Sequence, residues 1–140
     1  MLEVVYGGRL RISDAVGLDV ADVADAGTVL LVGSARNRHA ALSSRTAGVL
    51  DAYLSNARPR LAGAAEPAVF VNARGRRLSR QSGWKIISTA CRRAGLPSGL
   101  GPDVLRHSAE HHLAAMGVER GREPARRDLD ALFRRTHPAP

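Results

Sequence analysis

The chain has 140 residues, 44% of them hydrophobic and 24% charged, the balance of a folded protein rather than a disordered one. Lys and Arg number 21 against 13 Asp and Glu, a formal charge of +8 with a pI near 11.3, which favours polyanionic partners and nucleic acid first. No apolar run is long enough to span a bilayer, and the segment from Met1 to Tyr6 lacks the basic start and cleavage site of a signal peptide. Cys91 is the only cysteine, so no internal disulfide can form, and a cytoplasmic location is expected. Lys85 is the only lysine, so the positive charge is almost all guanidinium, a planar group that grips phosphate with two hydrogen bonds. A coding bias towards G and C accounts equally well for arginine in place of lysine, but not for the net positive excess.

In chain order, Tyr6 to Val16 reads as the end of one helix and the start of another, carrying Leu10, Ile12 and Val16. Thr28-Val29-Leu30-Leu31-Val32, closed by Gly33, predicts a strand; beyond the polar stretch Ser34 to His39, Ala40-Ala41-Leu42 predicts its returning partner. Ser43 or Ser44 can cap a helix with Val49, Leu50, Tyr53, Leu54 and Ala57 at the 3.6-residue period, limited by Pro59. Ala68 to Val71 is a short strand-like run before a turn at Arg74-Gly75. Ser79 begins a helix with Trp84, Ile87, Cys91 and Ala94 on one face and Gly95 as its stop, which places Trp84 in the core. Pro102 suits the first position of a helix bearing Leu105, Ala109, His112, Leu113 and Met116, ending at Gly117. Glu119 to Pro140 is polar and arginine-rich, with at most a short helix over Asp128 to Arg134. No repeat or long linker divides the chain, so residues 1–140 are expected to form a single α+β, mainly α domain with a small antiparallel sheet.

Two segments carry a resemblance. Tyr6-Gly7-Gly8-Arg9-Leu10-Arg11-Ile12-Ser13-Asp14 resembles the first conserved box of the tyrosine site-specific recombinases, the phage-integrase family. Leu105-Arg106-His107-Ser108, followed by His112-Leu113 and Gly117, resembles the second. Between them Phe70 to Gly75, Leu78-Ser79, Trp84 and Arg92 to Leu96 follow the family's order. The resemblance implies the DNA breaking-and-rejoining catalytic-domain fold and a role in DNA integration and recombination. In that chemistry a tyrosine hydroxyl attacks a DNA phosphate, forming a phosphotyrosine link and releasing a 5′-hydroxyl without a metal. Two arginines, here Arg11 and Arg106, would clamp the scissile phosphate and stabilise the charge of its transition state.

Other catalytic positions depart from the pattern. The family's hairpin lysine falls at Ser34, and the histidine preceding the second arginine falls at Asp103, an acidic group that repels phosphate. Arg127-Asp128-Leu129-Asp130 and Thr136-His137-Pro138 resemble the C-terminal box, which sets Arg126 at a histidine or tryptophan position and Arg135 at that of the nucleophile. Tyr6 and Tyr53, the only tyrosines, lie in other elements. The expectation is a cleavage-defective pseudoenzyme, with residues 118–140 a divergent tail and the family's N-terminal DNA-clamping domain absent from this chain.

Double-stranded DNA is the expected partner, in a bacterial or phage setting, with an intact recombinase or a second copy on DNA as a further possibility. Arg36, Arg38, Arg74, Arg77, Arg80 and His107 are candidate DNA contacts; each is also compatible with a merely solvated position. No cofactor or metal is expected. A distant alternative is a zinc hydrolase, since His107, Glu110 and His111 match a His-x-x-Glu-His pattern with Glu119 or Glu123 as a third ligand. A five-residue pattern arises easily by chance, and this one overlaps the second box. A regulatory DNA-binding remnant and an eroded product with no activity remain as alternatives within the family.

Overall fold

Two serines set the major helices of this computed structural model, which describes residues 1–137. Ser43 and Ser79 both hold extended backbone geometry, and their hydroxyls accept from the amides of Thr46 and Ser82 (both 3.0 Å). Each such cap satisfies an otherwise orphaned amide and contributes about 1 kcal/mol. The helices in chain order are α1 (Leu2–Gly7), α2 (Ile12–Gly17), α3 (Ser44–Ala52), α4 (Arg58–Leu61), α5 (Arg80–Arg93), α6 (Pro102–Ala115) and α7 (Arg126–Thr136). Pro59 does not end its helix as the sequence suggested. A π-helical turn at Tyr53–Ala57 widens the backbone just before it, and Pro59 then lies in the first turn of α4, where a missing amide is tolerated.

A three-stranded antiparallel sheet of order β1-β2-β3 lies between α2 and α3 in the chain: β1 (Val23–Ala24), β2 (Val29–Val32) and β3 (Arg38–Ala41). Val29 pairs with Ala41 and Val32 with Arg38, a register that turns Leu30, Val32 and Ala40 inward. The returning strand begins two residues earlier than its apolar stretch implied, because ladder hydrogen bonding does not require apolar side chains. The strand-like run Ala68–Val71 is buried but joins no strand; it makes isolated bridges to Asp19 and Arg77.

The main core gathers Val4, Val5, Leu10, Val16, Leu18, Leu30, Leu42, Leu50, Val69 and Ile87. A smaller cluster of Leu113, Leu129 and Leu132, with Tyr6, Ala41, Met116 and Val118 against it, seats α7 on α6 and α1. Trp84 is not core: it is 44% exposed. Gly83 takes the inward position in that turn of α5, where a Cβ would come within 2.7 Å of Ile12 Cδ1, so the next residue is rotated outward. The indole instead lies on Gly101, where a Cβ would approach Nε1 to 2.3 Å.

Candidate nucleic-acid interface

The first box forms the corner between α1 and α2. Arg11 sits at the N-cap position of α2, exposed, and its guanidinium makes no hydrogen bond or ion pair among the described residues. Arg9 adopts φ 53°, a left-handed conformation costing a non-glycine residue about 1 kcal/mol. Its guanidinium donates to the Gly7 carbonyl (3.0 Å) and to Glu123 Oε1 (2.7 Å). Glu123 Oε1 also accepts from the Ala41 amide at 3.0 Å, so one carboxylate joins the tail, the first box and the sheet edge.

The second box lies on α6, which packs along α1. Arg106 is held by its own helix: Nη1 meets Glu110 at 3.2 Å, while Nη2 meets Asp103 at 3.4 Å and donates to His107 Nε2 at 2.7 Å. Its Nε is buried and has no acceptor. His107 and Glu110 line a cavity of about 620 Å³ together with Arg9, His111 and the loop residues Glu119, Arg120, Arg122 and Glu123. Arg106 therefore stands at the cavity rim, bonded to two of its lining residues. Arg11 lies on the α1–α2 corner beyond Arg9 and does not line the cavity.

Three of the candidate arginines are engaged within the chain. Arg36, at the β2–β3 turn, bridges Asp22 (3.0 Å) and Asp19 (2.9 Å), and the Asp22 carboxylate raises its already high pKa further. Arg38 pairs with Asp14 at 2.9 Å. Arg77 donates to the carbonyls of Val16 (2.8 Å) and Leu18 (3.1 Å) and pairs with Asp19. Arg74 and Arg80 are exposed and form no ion pair among the described residues. Arg135 is exposed in the last turn of α7, and Arg126, at its start, binds Asp25 (2.9 Å) and Thr28 Oγ1 (2.8 Å).

The hydroxyls of both tyrosines and of Thr136 are occupied. Tyr6 shares a 2.8 Å hydrogen bond with His112 Nδ1, Thr136 Oγ1 donates to the Leu132 carbonyl (3.0 Å), and Tyr53 donates to the Val69 carbonyl (3.0 Å). Burial raises the pKa of both tyrosines. The zinc pattern does not assemble: among the described residues no three His, Cys, Asp or Glu side chains are placed to hold a metal ion, and His107 Nε2 faces Arg106. Among those residues no helix is long and apolar enough to cross a membrane.

The arginine pairing with Asp103 and Glu110, the Arg9–Glu123 link and the cavity position of Arg120 and Arg122 were not read from sequence. Helical spacing carried the first signal, since Asp103 and Glu110 lie three and four residues from Arg106. The others depend on where the tail folds.

Comparison with solved structures fixes the class first. The fold superimposes on XerA recombinase with a TM-score of 0.75 over 99% of this chain and 55% of that one, at 17% identity. It also matches XerH recombinase bound to difH substrate in a pre-cleavage complex, with a TM-score of 0.66 over 99% of this chain and 39% of that one, at 20% identity. This is the tyrosine-recombinase catalytic-domain fold. Residues 1–120 match the phage integrase family model, and the chain belongs to that family. Tyrosine recombinase XerD of Mycobacterium leprae is 46% identical and that of Mycobacterium tuberculosis (strain H37Rv) 45% identical, each over 85% of this chain. The chain spans 40% of the length of those relatives.

Proposed function

We propose that this chain binds duplex DNA through Arg11 and Arg106, in the setting of site-specific recombination, and does not itself cleave a strand. The carrying observation is Arg106, a guanidinium at the rim of an open cavity whose buried Nε lacks an acceptor. A phosphate that displaces Asp103 or Glu110 from the terminal nitrogens would leave this guanidinium with a stronger acceptor, and Arg11, exposed and unpaired among the described residues, adds positive charge on the α1–α2 corner. The solved relative bound to difH substrate supports DNA as the ligand class.

Cleavage requires a hydroxyl that forms a P–O bond while the 5′-oxygen leaves with a proton. Arg135, where the resemblance sets the nucleophile, has no hydroxyl; Ser34 stands where it sets the proton-donating lysine, and the neighbouring Arg36 and Arg38 hold their protons too tightly to act as general acids. The tail folds back on its own chain through Glu123, Asp130 and Arg126, which favours DNA over a second recombinase subunit as the partner of this face. Nicked duplex carrying a bridging phosphorothiolate traps covalent protein–DNA adducts. The expected result is no adduct from protein that binds the same duplex; a trapped adduct refutes the loss of cleavage. Protein that is folded but binds no DNA at low salt would instead be an eroded product.

A further inference from the structure

Resting on that reading, we propose that the loop from Glu119 to Pro124 is a second phosphate-binding element, in which Arg120 and Arg122 hold a DNA-backbone phosphate next to the one gripped by Arg106. The family match ends at residue 120, so most of this loop lies outside it. Both arginines are exposed, both line the cavity that His107 and Glu110 border, and among the described residues neither forms an ion pair.

The loop is anchored at both ends. Val118 donates to the Leu113 carbonyl (3.0 Å), Pro124 is buried, and Glu123 is held by Arg9 and the Ala41 amide. Gly121, at φ 83°, turns the chain between the two arginines. The result is a short strap with fixed ends and two unpaired guanidiniums in the cavity lining. Pairing rather than net charge sets the two apart. Arg9 is held by Glu123, and Arg106 by Asp103 and Glu110, whereas Arg120 and Arg122 line the same cavity with no ion pair among the described residues. An anion with several acceptor oxygens, presented by a polymer already bound at Arg106, is the ligand such a pair accepts.

The test is an anisotropy titration of duplex DNA across a salt series, with three forms of the chain. Each phosphate contact contributes about 0.9 to the slope of log affinity against log salt. Arg120→Gln/Arg122→Gln is expected to make the slope shallower by about 0.9. Arg127→Gln/Arg134→Gln removes the same charge from exposed positions of α7 that do not line the cavity, and is expected to keep the native slope. Equal slope losses in both variants, or none in the first, overturn the loop assignment while leaving the Arg106 site intact. A native chain that fails to bind overturns both. Glu119→Gln supplies an independent arm: it is expected to tighten binding by a few-fold, and weaker binding contradicts the proposal.

Discussion

Asp103→Asn is expected to tighten DNA binding while slightly weakening the helix that carries it. The carboxylate lies 3.4 Å from Arg106 Nη2, in the first turn of α6, and is 76% exposed. An exposed pair at this spacing contributes about 0.2–0.5 kcal/mol, which an incoming phosphate must displace. A phosphate taken up by Nη2 would lie about 6 Å from the remaining carboxylate, adding roughly 0.7 kcal/mol of repulsion in water, reduced further by salt. The two effects sum to about 1 kcal/mol, or roughly a fivefold gain in affinity. The same substitution removes a negative charge from the helix N-terminus, where it stabilises by about 0.3–1 kcal/mol, so the melting temperature should fall by about 1–4 °C. Fluorescence anisotropy with a short duplex at low salt and a thermal melt measure the two sides. Glu110→Gln should behave alike in binding, and the double variant should gain less than the sum because both carboxylates act on one guanidinium. Unchanged or weaker binding by Asp103→Asn would refute the view that the carboxylates of its own helix compete with phosphate for Arg106.

Three further outcomes follow from the packing. Arg9→Ala keeps the left-handed backbone strain and loses the Glu123 bond, whereas Arg9→Gly relieves the strain; denaturant melts should find the alanine form less stable than the glycine form by about 1 kcal/mol. Leu132→Ala, in the small cluster that seats α7, should cost about 2–4 kcal/mol and make the tail the first site of limited proteolysis, with the remaining core protected longer. Tyr6 and Tyr53 have pKa values raised by burial, so both should ionise above pH 10 in an ultraviolet titration. Their contribution to stability is complete below the ordinary tyrosine pKa and is lost as pH rises through the folded value.

Much of the helical framework was legible because its signals are local. Ser43 and Ser79 cap where their neighbours suggest, and Pro102 opens α6. The first and second boxes were legible as patterns, which located Arg11 and Arg106 without describing their surroundings. What escaped was set by tertiary packing. β1 is two residues long and exists only as a partner of β2. Trp84 shares a helical face with Ile87 and Cys91, yet Gly83 occupies the packed position. Arg36, Arg38 and Arg77 look like free charges in sequence, but their carboxylate partners lie 14 to 58 residues away. The sequence pattern implies a tail helix over Asp128 to Arg134; it runs Arg126–Thr136, extended at its start where Arg126 binds Asp25 and Thr28.

The most direct measurement is an anisotropy titration of duplex DNA at several salt concentrations, comparing the native chain with Arg11→Ala/Arg106→Ala. Binding that weakens steeply with salt in the native chain, and is weaker with a shallower slope in the double variant, is the expected result. Identical titrations from two folded proteins, or no binding by the native chain at low salt, would contradict a working phosphate site.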